Sequence, residues 1–135
     1  MNREKHLELI QGVINRMASN SFHLKGWSVV LVSALFALAA ADTNANFVLL
    51  AFLPAIAFWV LDGYFLQQER MYRRLYDDVR NKSDKESDFT MDASKYKGEV
   101  ESWPATCLSI TLRIFHGMVV IAILIVRYCM RSAGT

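Results

Sequence analysis

Residues 26–66 read GWSVVLVSALFALAAADTNANFVLLAFLPAIAFWVLDGYFL, and their distribution of charge decides the fold. The stretches 26–41 and 47–66 hold one acidic side chain, Asp62, and no basic one. As helices they measure about 24 and 30 Å, against a bilayer hydrocarbon core of about 30 Å. Leu24 and the residues after Ala41 make up part of the deficit of the first. The link between them, Asp42-Thr43-Asn44-Ala45-Asn46, is short and built of turn formers. A transmembrane helical hairpin is predicted. Trp27, just after Lys25, is an interfacial residue where the first helix begins, and Trp59, Tyr64 and Phe65 mark the approach to the interface where the second ends. Pro54 bends the second helix and frees backbone groups that a neighbouring helix must satisfy. Ser33, Ala34, Ala37, Ala40 and Ala41 recur at three- and four-residue spacing and predict a helix-packing face, because small side chains let backbones approach in lipid.

Arg16 and Lys25 precede the hairpin, Arg70, Arg73 and Arg74 follow it, and the turn carries no basic residue. By the bias of Lys and Arg toward the cytoplasmic side, both ends of the hairpin face the cytoplasm and the turn lies outside.

The rest of the chain follows the same segregation. Of 135 residues 53% are hydrophobic and 21% charged, with a mean hydropathy of +0.20. No charge occurs in 26–41, 43–61 or 114–126. A soluble globule would spread its apolar residues at helical or strand spacing throughout, and so much committed sequence leaves no room for a catalytic domain of ordinary size. Fifteen Lys and Arg against thirteen Asp and Glu give a net charge of +2, without the basic block that grips nucleic acid. There is no phosphate-binding glycine loop, no GxSxG, no HExxH and no nucleophile–base pair. A non-enzymatic chain without cofactor or metal is expected. Cys107 and Cys129 stand 22 positions apart on what reads as one helix, about 33 Å, and are expected as free thiols.

Residues 1–25 form an amphipathic helix rather than a cleavable signal, whose apolar run would begin sooner. Leu7, Ile10, Ile14, Met17 and Ala18 make one face; Glu4, Glu8, Asn15, Arg16 and Ser19 make the other. This helix lies in the headgroup plane or packs on the cytoplasmic part of the protein, and packing is preferred because its polar face is not basic.

Beyond residue 66 the helical pattern runs on through 67–80, with a stripe of Met71, Tyr72, Leu75, Tyr76 and Val79. Glu69–Arg73, Arg73–Asp77 and Arg74–Asp78 have the spacing of ion pairs. One long helix over about 47–80 is predicted, and its stripe needs a partner, either the N-terminal helix or the same stripe of another subunit. Residues 81–103 are rich in charge and poor in large aliphatics, and read as a solvated, partly disordered linker; the alternative is a contact surface for a cytoplasmic protein.

The third apolar helix occupies 104–130, opened by Pro104. Residues 105–126 are long enough to span, although they contain Arg113 and His116. Spanning is preferred to an interfacial or re-entrant course because the β-branched run 114–126 is costly to leave in water. It places Arg127 and Arg131 outside, against the usual bias. If this helix enters near Ala105, Arg113 lies about 12 Å and Asp62 about 7 Å inside the same boundary. Charges at that depth face protein, water or each other. An intramembrane cluster of Asp62, Arg113 and His116 is therefore expected, the alternative being separate snorkelling of each charge. His6 and His23 read as structural or interfacial residues.

The amphipathic start with NRMASNSFHLKGW, the tight hairpin and the run FWVLDGYFLQQERMYRRLYDDVR together resemble small bacterial two-transmembrane effectors of antiphage systems, of the SLATT type and of the kind attached to retrons. The resemblance covers about residues 5–80; the third apolar segment departs from it. It implies a multi-pass protein of the inner membrane, N-terminus in the cytoplasm, that assembles and impairs the membrane when infection is sensed. Membrane lipids, further copies of the chain and a cytoplasmic regulatory or sensor protein are the implied partners. Three segments are too few to enclose a path in one chain, so any pore must form between subunits. The opposing readings are a non-conducting subunit of a larger membrane complex and a small multidrug exporter, which needs four spans.

Overall fold

A computed structural model describes residues 1–134. Among these residues the chain forms five α-helices and one 3-10 turn, and no strand. Three helical stretches, Arg3–Asp42, Asn46–Arg80 and Ile110–Ala133, are long and apolar enough to cross a membrane.

Helix α1 runs from Arg3 to Asp42 without interruption. Asn2 starts it by accepting the Lys5 N–H at 2.9 Å, which satisfies one of the free donors of the first turn. No proline follows, so the amphipathic segment and the first apolar segment merge into one rod of about 60 Å. It stops where Thr43 turns left-handed at φ 52°, a cap that lets the Asn44 N–H reach Ala39 O at 3.1 Å.

The returning arm of the hairpin is broken rather than one helix over 47–80. Helix α2 is Asn46–Leu49 and α3 is Phe52–Arg80. Pro54 is the cause: it has no N–H for the Leu50 carbonyl, and its ring crowds that carbonyl. The chain answers with a tighter turn, in which Leu53 N–H bonds Leu50 O at 3.2 Å and Ala51 N–H bonds Val48 O at 3.1 Å.

Helices α1 and α3 lie antiparallel along their whole shared length, which divides the bundle into a polar half and an apolar half. In the polar half, Ile10 and Ile14 of α1 pack with Met71, Leu75 and Val79 of α3, all nearly inaccessible. The stripe on α3 thus finds its partner in the N-terminal helix of the same chain. Tyr72 and Tyr76 flank this core half-buried. Of the three anticipated helix-surface pairs, Glu69–Arg73 forms at 2.8 Å, whereas Asp77 turns to Arg80 and Asp78 to Lys82.

The segment 81–103 is not a solvated linker. It folds back over the polar half, where Ala93 and Tyr96, the latter on a 3-10 turn Ser94–Glu99, complete the core, and Met91 and Val100 pack against it. The N-terminus is tied to it as well: the Arg3 guanidinium donates to Lys82 O at 2.9 Å, and His6 Nε2 lies 2.7 Å from Thr90 O.

In the apolar half Val32 and Ala39 of α1 meet Val48, Ala51 and Ala55. The third apolar segment supplies Ile123. The expected packing face is absent from this core: Ser33, Ala34, Ala37, Ala40 and Ala41 all point outward. Leucines and isoleucines are exposed beside them, including Leu38, Leu53 and Ile121. The third segment is itself split, into α4, Trp103–Cys107, and α5, Ile110–Ala133, with Ser109 in an extended conformation between them. Cys107 and Cys129 therefore sit on different helices, both as free thiols.

A buried charge cluster as the candidate functional site

Ser21, Lys25 and Ser28 occupy one face of α1 because they are four and then three residues apart. Asp62 faces them from α3, and His116 approaches from α5. The Asp62 side chain is fully buried. Its Oδ1 accepts a hydrogen bond from the Ser21 hydroxyl. Its Oδ2 lies 2.6 Å from Lys25 Nζ and 2.8 Å from His116 Nε2. Lys25 Nζ also donates to Ser21 Oγ at 2.8 Å, which closes the α1 side of the cluster.

Aromatic groups wall it in. The Trp59 indole stacks on the His116 ring, centroids 5.6 Å apart and planes 10° from parallel. The Lys25 ammonium lies 5.9 Å from the Phe115 ring centroid. Trp59 is itself held by donating from Nε1 to Cys107 O at 2.7 Å, so α4 fixes the plate on which the imidazole rests. That close approach of α4 requires Gly63, where a Cβ would stand 2.2 Å from Cys107 Sγ and 3.2 Å from Cys107 Cα.

Within this enclosure the Asp62 carboxylate of α3 is held by an ammonium and a hydroxyl from α1 and by an imidazole from α5. Two polar atoms remain without a hydrogen-bond partner among the described residues, His116 Nδ1 and Ser28 Oγ. When His116 donates from Nε2, Nδ1 is a bare lone pair able to accept a hydrogen bond. The cluster can thus balance charge in an apolar setting and still accept one more hydrogen bond. Among the described residues no three His, Cys, Asp or Glu side chains come together as metal ligands.

Of the expected trio, Asp62 and His116 are joined and Arg113 is not. Helix α5 begins at Ile110 rather than near Ala105, so Arg113 falls in its first turn, where its side chain is exposed. The Asp62 carboxylate is meanwhile filled by Ser21, Lys25 and His116. Lys25 and Ser21 were missing from the expected cluster. The signal for them was the polar spacing of Ser21, Lys25 and Ser28 running into the first apolar segment.

The polar half holds a smaller network. The Tyr96 hydroxyl donates to Asp78 Oδ2 at 2.6 Å, and Lys82 Nζ lies 2.9 Å from the same oxygen. The Tyr96 bond and Lys82 hold the Asp78 carboxyl below its ordinary value of 3.8. Burial, with the adjacent carboxylate, pushes the Tyr96 hydroxyl well above the usual tyrosine range.

His6 is buried in this half against Thr90 and Phe89, whereas His23 is exposed on α1. Compared with family models, with curated proteins and with solved structures, the chain finds no match.

Proposed function

We propose that the chain is a bacterial inner-membrane effector that assembles into oligomers and permeabilises or depolarises the membrane, in the manner of antiphage effectors that sacrifice the infected cell. The observation that carries this reading is Asp62, a fully buried carboxylate bonded from α1 and α5 within the stretch of helix long and apolar enough to span. Ionisable groups at such positions are costly and tend to line routes for ions or protons, or to fasten helices that must move. The outward small-residue face of α1 supports assembly, since it is free to receive a helix of another copy. In this reading the polar half, with both ends of the hairpin, lies in the cytoplasm, where a regulatory or sensor protein would hold the effector silent.

Induced expression in cells loaded with a potential-sensitive dye tests it. Growth arrest with rapid depolarisation is expected, and Asp62→Asn should abolish it at equal protein level. Normal growth and polarity at high expression overturn the proposal in favour of a non-conducting subunit of a larger membrane complex.

A further inference from the structure

Where α3 leaves its apolar stretch, a cavity of about 640 Å³ opens between α3, the 81–103 segment and the start of α5. Arg70, Arg73, Arg74 and Asp77, the last paired with Arg80, line it from one face of α3; Glu99 and Glu101 lie on the folded-back segment; Ser109 and Ile110 form its third side. The opposed charges do not neutralise one another in place. Arg70 and Glu101 make only a long contact of 3.5 Å, and Arg73 is held by Glu69 at 2.8 Å. Neither Arg74 nor Glu99 forms an ion pair among the described residues. A cation and an anion thus face one cavity with room left between them. The Ser109 hydroxyl, which makes no cap bond for α5, is buried there without a partner.

We infer that this cavity binds the headgroup of a phosphatidylethanolamine, with Arg74 on the phosphate and Glu99 on the ammonium. A purely anionic headgroup would meet the carboxylates as well as the guanidiniums. A phosphate joined to a primary ammonium satisfies both, and the ammonium brings N–H donors that a trimethylated amine lacks. The source is a lipid rather than a soluble phosphoethanolamine because Ile110, 64% exposed, lines the cavity at the start of α5, and Ile114, one turn on and 58% exposed, continues an apolar surface that an acyl chain can follow. The inference rests on the membrane reading above.

The test offers detergent-solubilised full-length protein equal amounts of phosphatidylethanolamine, phosphatidylcholine and phosphatidylglycerol, and reads bound lipid by native mass spectrometry. Phosphatidylethanolamine should be retained about tenfold over the other two, the worth of one charge-assisted hydrogen bond. Arg74→Ala should weaken retention of all three, while Glu99→Gln should equalise phosphatidylethanolamine and phosphatidylcholine. Both side chains are exposed, so neither change threatens folding. Equal retention of the three lipids by the parent protein, a preference for phosphatidylglycerol, or displacement by equimolar soluble phosphoethanolamine overturns the inference. Membrane and supernatant fractions of the same cells separate the two failures. A chain found in the membrane with no lipid preference sinks the headgroup site alone; a chain found in the supernatant sinks both.

Discussion

His116 Nε2 stands 2.8 Å from Asp62 Oδ2, and both residues are almost wholly inaccessible, so α5 is fastened to α3 by a polar contact in the apolar half of the bundle. Lys25 reaches the same oxygen from α1. Three helices thus share one carboxylate.

Removing that carboxylate leaves an ammonium and an imidazole facing each other without compensation. Asp62→Ala should lower stability by about 3 kcal/mol, read from thermal unfolding in detergent. A double-mutant cycle of Asp62→Asn with Lys25→Met should show coupling of about 1–3 kcal/mol. Additive effects would mean that the two side chains are neighbours without being partners.

At Gly63 the backbone of α3 lies against Cys107 of α4. Gly63→Ala should destabilise by about 1–3 kcal/mol through overpacking against Cys107. Cys107→Ala should recover only part of the loss, because its backbone remains 3.2 Å from the new methyl group. Full recovery would show that the thiol alone sets the spacing.

The Asp78–Tyr96 pair gives the polar half a stability window in pH. The lowered carboxyl of Asp78 contributes fully above the unfolded value of 3.8, and that contribution is lost as pH falls through the still lower folded value. The raised hydroxyl of Tyr96 contributes fully below its unfolded value of 10.0 and is lost as pH rises through the higher folded value. Tyr96→Phe should flatten the alkaline limb and weaken the acid one in denaturant titrations followed across pH. An unchanged profile would remove this pair from the stability of the polar half.

Ala37 faces outward, so Ala37→Leu should leave monomer stability within about 0.5 kcal/mol. In membranes the same change should reduce crosslinked oligomer and depolarisation together. Oligomer yield that survives this substitution would place the subunit contact on another face.

How far the sequence could be read varied with the kind of signal. The hairpin, its turn and the stripe Met71, Leu75, Val79 were legible because each is a local pattern with one physical meaning. The surroundings of Asp62 were legible only in part: His116 was expected there and is there, whereas the place of Arg113 depended on where α5 begins. An expected start near Ala105 carries Arg113 to the depth of Asp62; the actual start after Ser109 keeps it in the first turn and leaves His116 alone of the two at the carboxylate. The 81–103 segment was misjudged for a different reason. Its charge dominates an average, while its fold depends on single anchors, Ala93 and Tyr96, that an average hides.

The unbroken course of α1 has a mechanical consequence. Residues tethered to the returning loop, Arg3 and His6, and residues at the far tip, Ala39 and Ala40, belong to one stiff shaft. A shift of the loop at Thr90 would therefore be felt along the same helix that carries Lys25 to the carboxylate and ends at the hairpin tip.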